Sequence, residues 1–236
     1  MQVSQLHPGE LPAMTEPRFH LYVDSADLEA IGGALPHPLI YGVTTNPTLM
    51  QRAGLRREAL RSFVRRVLDL GARAVQVQVE SSDTGGVLRD AGTLLGWAPD
   101  GALIPKIPAT RAGFAAGAKL SAEGVRVTYT AVFEPEQALF AASSGAAYAA
   151  PYLGRLDDRH GDGLASIARM QALIERYGQG TRLLVASVRS RESFLKLLDL
   201  GVGAVTIPPA LLPDLLDHAA TLEAERTFIA DAEAVR

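Results

Sequence analysis

Short apolar runs alternate with amphipathic stretches along almost the whole chain. Eight runs read as strands: HLYVD (20–24), IYGVTT (40–45), AVQVQVE (74–80), ALIPKIP (102–108), VRVTYTAVF (125–133), AYAAPYL (147–153), RLLVASV (182–188) and AVTIP (204–208). Between them lie segments with apolar residues at i, i+3, i+4 and i+7, such as LRREALRSFVRRVLDL (55–70) and DGLASIARMQALIERYG (162–178). That period is the mark of a helix with one buried face. Strand followed by helix at this spacing means parallel strands joined by crossovers. Eight such units predict a closed (β/α)8 TIM barrel. An open doubly wound sheet is the alternative, but VDSADLEA after the first strand lacks the Gly-rich turn that fold uses to cradle phosphate.

The two ends of the chain depart from this grammar. Residues 1–17 show no periodicity and read as a loose N-terminal extension, or as sequence ahead of a start at Met14. Residues 18–236 then form one barrel domain with a C-terminal helical extension. Segment 209–236 is longer than one barrel helix needs, and its Leu215, Leu222, Phe228 and Ile229 either close the barrel or pack on a neighbouring subunit.

Composition narrows the chemistry. A net charge of −3 with mixed signs implies no nucleic-acid surface. The absence of Cys removes disulfides, thiolate metal sites and Cys nucleophiles together, and fits a reducing, cytoplasmic setting. No apolar run approaches the roughly 20 residues of a membrane helix, and no charged start precedes an apolar stretch. His7, His20, His37, His160 and His218 are scattered without metal-ligand spacing, so no metal is expected. His160, in RLDDRHGDG (155–163), reads as an exposed loop His, with a place near the mouth of the expected site as the alternative. No Ser sits in a G-x-S-x-G elbow. Of 23 basic residues only Lys106, Lys119 and Lys196 are Lys. In so Arg-rich a chain each Lys is a candidate for work Arg cannot do, because Lys can shed its proton and attack.

In a barrel, functional groups gather at the C-terminal strand ends. Those ends carry Asp24; Thr44, Thr45 and Asn46; Gln78 and Glu80; Lys106; Thr128 and Thr130; Tyr152 and Arg155; Ser187 and Arg189. In AVQVQVE the three Val share one face, so Gln76, Gln78 and Glu80 are expected to line the barrel interior. Such a polar stripe costs stability unless hydrogen-bonded, and so marks a site rather than a core. Lys106 lies in an apolar strand and is either paired with a carboxylate across the barrel or a nucleophilic amine kept neutral by desolvation. Lys119 and Lys196 fall on helices and read as solvated. Asp24, Gln78, Glu80, Thr130 and Tyr152 are the acid/base candidates. Arg155 and Arg189, with Ser187 between them, read as an anion site on the late loops or as surface ion pairs.

Taken together, YVDSADL (22–28), GVTTNPTL (42–49), PKIPAT (105–110), VTYTAVFEPEQA (127–138), AAPYLGRLDD (149–158) and VASVRS (185–190) resemble the transaldolase family in the same order, over residues 19–235. The resemblance implies a cofactor-free enzyme acting on sugar phosphates. Lys106 would form an imine with the C2 carbonyl of a ketose such as fructose 6-phosphate. Cleavage of C3–C4 would release an aldehyde such as glyceraldehyde 3-phosphate and leave a dihydroxyacetone enamine. Asp24 and Asn46 match residues handling substrate hydroxyls and proton traffic, with Thr45 and Thr128 placed beside them as substrate-binding. Thr130 matches the Thr that positions the catalytic water. Arg155, Ser187 and Arg189 match the phosphate binders. Gln78 and Tyr152 match the fructose 6-phosphate aldolase branch, where transaldolases proper carry Glu and usually Phe. That pairing favours an aldolase, with transaldolase as the alternative and a non-catalytic sugar-phosphate-binding barrel as a remote one. Thr128 stands where larger transaldolases carry Asn, and Glu80 would restore some carboxylate function if it faced inward beside Gln78. Small members of the family are often pentamers or decamers, which implies a homo-oligomer.

Overall fold

The computed structural model describes residues 17–99, 101–178 and 180–235. The expected extension 1–17 therefore lies outside the described residues apart from Pro17, as does the side chain of His160. Among the described residues, parallel strands β1 (His20–Asp24), β2 (Ile40–Thr44), β3 (Ala74–Gln78), β4 (Leu103–Pro108), β5 (Thr128–Val132), β6 (Tyr148–Pro151), β7 (Arg182–Val185) and β8 (Ala204–Ile207) close into a barrel, with β1 paired to both β2 and β8. Around it run α1 (Leu28–Ala34), α2 (Pro47–Arg52), α3 (Arg57–Asp69), α4 (Thr84–Leu95), α5 (Arg111–Ala122), α6 (Pro135–Ser143), α7 (Leu153–His160), α8 (Gly163–Tyr177) and α9 (Arg191–Asp199). No helix of the described residues is long and apolar enough to cross a membrane.

The helical period holds where it was read. Helix α3 buries Leu60, Phe63, Val64 and Val67, and α8 buries Ile167, Met170 and Ile174. Several crossover helices start on a side-chain cap: Asp27 accepts from Glu29 N, Asp83 from Gly86 N, Thr110 from Gly113 N and Ser190 from Ser193 N. Each cap stabilises its helix by about 1 kcal/mol. The strands are shorter than their apolar runs. Val127, for example, is fully buried yet precedes the β5 ladder, because apolar residues in the flanking loops also pack beneath the helices.

Side chains of the strands divide between two cores. Val23, Val43, Val75, Val77, Ile107, Val185 and Val205 point outward into the layer between sheet and helices. The inward set stacks in layers drawn from alternate strands, as staggered barrels require. Lowest are Ile104, Tyr148 and Ala204, with His20 and Tyr41 at the same end. Tyr22, Gln76, Thr128 and Leu184 form the next layer, then Thr44, Lys106, Ala150 and Thr206. Asp24, Gln78, Thr130 and Ala186 ring the mouth. Gly42 has no Cβ where one would collide with the Ala74 carbonyl and approach the Tyr22 ring at 3.0 Å.

The C-terminal segment splits in two. A 3-10 turn (Pro209–Leu211) and α10 (Leu212–Leu216) close the barrel, burying Leu211 and Leu212 and seating Leu215 against the core. Helix α11 (Ala219–Ala234) buries no residue at all, and Phe228 and Ile229 are 69% and 56% exposed. Of the two roles left open for this segment, closing the barrel thus holds only as far as Leu216.

Candidate active site

Lys106 sits on β4 in the third layer of the barrel, 3% exposed, and its Nζ donates to the Thr45 carbonyl at 3.2 Å. The register places Gln78 of β3 on one side and Thr128 of β5 on the other. Lys119 and Lys196 are exposed on α5 and α9, and Lys196 pairs with Glu192 one turn away. Of the three amines only Lys106 is placed inside the barrel.

Asp24 ends β1, half-buried at the mouth. Thr44 Oγ1 donates to its Oδ1 at 2.8 Å. Burial raises the Asp24 carboxyl above its ordinary 3.8, while the nearby Lys106 cation, the Thr44 hydroxyl and then Arg155 pull it back down. A carboxyl balanced in this way can exchange protons within reach of a buried amine. Across the barrel, Thr130 and Tyr152 share a 2.6 Å hydrogen bond, and the Tyr152 ring meets Phe133 edge-on. Ala131, directly after Thr130, has φ +56 at a register shift in β5. Ser187 after β7 has φ +59. Two non-glycine residues in the left-handed region, both at strand mouths on this side, fit the habit of storing backbone strain at functional sites.

The remaining expected residues take mixed positions. Asn46 is half-buried and its Oδ1 caps α2 by accepting from Leu49 N, which leaves the amide Nδ2 to reach a ligand. Thr45 is fully buried, its Oγ1 without a protein partner. Thr128 donates to Gln76 Oε1 at 2.8 Å. Arg155 lies exposed on α7 with its guanidinium 4.7 Å above the Tyr152 ring. Arg189 is exposed and held by both oxygens of Asp158, at 2.8 and 2.6 Å. Gly154 lets this arrangement form, since a Cβ there would lie 2.6 Å from Arg189 Nε and 2.9 Å from the Ser187 carbonyl. The first amides of α7 are already spoken for: Leu153 N donates to Ala186 O and Gly154 N to Ser187 O. An anion here would rely on side chains.

One expectation is overturned. Glu80 does not continue the inward stripe of Gln76 and Gln78, because β3 ends at Gln78. Asp90 Oδ2 on α4 accepts the backbone amides of Glu80 and Ser81 at 3.0 and 2.8 Å, drawing the chain outward. Glu80 is exposed and paired with Arg57 on α3, so it supplies no carboxylate beside Gln78.

A buried amine, a raised carboxyl and a Thr–Tyr pair converging in a barrel mouth are suited to imine chemistry at a carbonyl. Comparison with known proteins agrees with that geometry. The family model described as transaldolase/fructose-6-phosphate aldolase matches residues 21–236. The chain belongs to the transaldolase/fructose-6-phosphate aldolase family. Relatives named "Probable transaldolase" include those of Caulobacter sp. (strain K31), 34% identical over 89% of this chain and 95% of the relative. The one from Geobacter sulfurreducens is 33% identical over 91% and 98%, and that from Anaeromyxobacter dehalogenans 35% identical over 91% and 96%. The protein is thus an enzyme of the aldolase–transaldolase type.

Within this transaldolase-family barrel two groups escaped the reading of strand ends. Thr206 of β8 contacts Thr44 Oγ1 at 2.6 Å. Its signal was present, as a hydroxyl on the inward face of AVTIP. The lower end holds His20, Tyr22, Tyr41 and Tyr148, with His20 Nδ1 2.6 Å from Tyr148 OH, Tyr22 OH donating to Tyr148 OH at 3.0 Å, and His20 stacked on Tyr41. Strand-by-strand alternation puts these rings inward, but nothing local tells that they meet.

Proposed function

We propose that the protein is a class I aldolase that cleaves and forms the C3–C4 bond of a ketose phosphate, such as fructose 6-phosphate, through Lys106. The observation that carries this reading is the Lys106 amine, buried in the barrel and resting on a neutral carbonyl oxygen within the field of the Asp24 carboxyl. Lys106 Nζ passes a proton to Asp24 and attacks the C2 carbonyl carbon; Asp24 returns that proton to the departing hydroxyl, and loss of water gives a protonated imine. The proton of the C4 hydroxyl passes to Asp24 as C3–C4 breaks. The bond's electron pair flows into the imine to give a three-carbon enamine, and the aldehyde leaves. Protonation of the enamine at C3 and addition of water to the imine release dihydroxyacetone and free lysine. Thr130 and Tyr152 hold that water, Asn46, Thr45 and Thr128 meet substrate hydroxyls, and Arg155, Ser187 and Arg189 meet the phosphate.

The choice of acceptor separates two readings. Gln78 is neutral and cannot act as base, while the Tyr152 hydroxyl beside Thr130 can polarise water toward the enamine; this supports hydrolytic release. Transaldolase activity, in which an aldose phosphate accepts the three-carbon unit, is favoured by the names of the relatives. Borohydride with fructose 6-phosphate is expected to add covalent mass at Lys106; its absence would overturn the imine reading. Glyceraldehyde 3-phosphate release over many turnovers without erythrose 4-phosphate is expected. Release that requires that acceptor would make the enzyme a transaldolase.

The exposed apolar residues of α11 support assembly as a homo-oligomer, a pentamer or decamer among the options, in a cytoplasmic setting that the Cys-free composition suits. Removal of residues 219–236 is expected to lower the mass seen by light scattering, and an unchanged mass would overturn the role of this helix.

A further inference from the structure

We propose that Thr206, on the strand that supplies none of the other site residues, is a positioning residue for Asp24, acting through the hydroxyl of Thr44. The direction of the hydrogen bonds follows from counting protons. A threonine hydroxyl has one proton to give and two lone pairs to accept with. Thr44 spends its proton on Asp24 Oδ1 at 2.8 Å. The 2.6 Å contact between Thr44 Oγ1 and Thr206 Oγ1 must then be a donation from Thr206 to Thr44. The result is a relay running from β8 through β2 to β1, with every donor pointing toward the carboxylate.

Burial makes this relay consequential. Thr44 is 0% and Thr206 2% exposed, so bulk water cannot stand in for a missing hydroxyl. Successive donations polarise one another, and a hydrogen bond to a charged acceptor is worth more than one between neutral groups. The relay occupies Oδ1 and leaves Oδ2 for the proton that passes to and from the substrate. The charged groups facing Asp24 are Lys106 from β4 and Arg155 from α7, both cations that favour the carboxylate. The relay adds to their effect against the cost of burial. Its catalytic meaning rests on the assignment of Asp24 as proton acceptor above, while its effect on the Asp24 carboxyl does not.

The test compares wild type with Thr206→Val, which keeps the shape and removes the hydroxyl, with Thr206→Ala as a second truncation and Thr206→Ser as the rescue. Carbon-13 titration of the Asp24 carboxyl in the unliganded full-length protein should move to higher pH in Thr206→Val and Thr206→Ala and return in Thr206→Ser. Cleavage should lose about tenfold in kcat, with KM little changed and the acidic limb of its pH profile displaced in the same direction. Ser should restore both. An Asp24 titration unmoved by either truncation would overturn the relay. A displaced titration with borohydride trapping absent even in wild type would instead overturn the imine reading and leave the relay standing. A kcat loss that Ser fails to restore would reduce Thr206 to packing.

Discussion

The two ends of the barrel interior are built from the same strands and do opposite things with polarity. At the lower end His20 and Tyr22 direct polar atoms to the Tyr148 hydroxyl, the Tyr41 ring stacks on His20, and Arg126 reaches in to donate to Tyr41 OH at 3.1 Å. At the mouth the polar groups are aimed at a shared space. Lys106 meets a single carbonyl, Asp24 a single hydroxyl, and Thr45 Oγ1 has no protein partner. Buried polar groups that satisfy each other rigidify a core, whereas groups left with spare valence cost stability and earn their keep only through a ligand. Lower-end substitutions should therefore cost stability and spare activity, and mouth substitutions should cost activity while leaving stability equal or higher.

The largest break in this comparison is expected at Lys106. Lys106→Met should abolish borohydride trapping and lower kcat by at least about 10³-fold, in line with the loss of a covalent nucleophile. Replacing a buried amine by an apolar chain of similar length should leave the melting temperature equal or higher. Residual trapping elsewhere in the variant would show that Lys106 is not the imine-forming amine.

Asp24→Asn comes next and separates function from stability in one residue. The amide keeps an oxygen for Thr44 but cannot take a proton, so cleavage should fall about 10²- to 10⁴-fold. The linkage sign runs the other way for the fold. Because burial raises the folded carboxyl above 3.8, its contribution to stability is present below that pH and is lost as pH rises through the folded value. At neutral pH the charged group is therefore a burden, and Asp24→Asn should melt at a higher temperature than wild type. The same direction predicts that wild-type activity disappears as pH falls through the raised Asp24 value. A variant both inactive and less stable would contradict the idea that this carboxyl is held against its preference.

At the lower end, Tyr148→Phe should cost about 1–3 kcal/mol, since it removes the buried hydroxyl to which Tyr22 OH and His20 Nδ1 are both bonded. Its kcat should stay within about twofold of wild type. Burial pushes Tyr148 up from 10.0 to about 12. The stability it contributes is complete below pH 10 and is lost as pH rises through about 12, so the gap between wild type and variant should narrow over that range. A comparable loss of kcat would mean that the two ends are coupled rather than separate.

Much of this division was legible in the sequence. The barrel follows from eight alternating runs, and the strand ends name Lys106, Asp24, Thr130 and Tyr152 among the polar positions that break an otherwise apolar grammar. What escaped depends on geometry between strands. Thr206 matters through a partner 162 residues away, Thr44, and stagger, not local pattern, brings the two together. Glu80 was misplaced because alternation was carried two residues past the point where Asp90 ends the strand. The isolation of α11 was equally hidden, since an apolar stripe looks the same whether its partner is its own barrel or another chain.

The smallest effect concerns the far rim of the mouth, where an expected phosphate binder is already engaged. Arg189 carries its raised affinity for protons, and Asp158 its lowered one, because each grips the other across two hydrogen bonds in an exposed position. An incoming phosphate must either displace Asp158 or settle beside its negative charge. Exposed pairs of this kind are weakly held and screened by salt. Asp158→Asn keeps the shape and removes the competing charge, so KM for a phosphorylated ketose should fall about two- to fivefold. An unphosphorylated ketose should be bound as before, and added salt should erase the gain. A KM that rises instead would assign Asp158 the opposite task, that of aiming the Arg189 fork at the substrate, and would extend the site one residue beyond the barrel mouth.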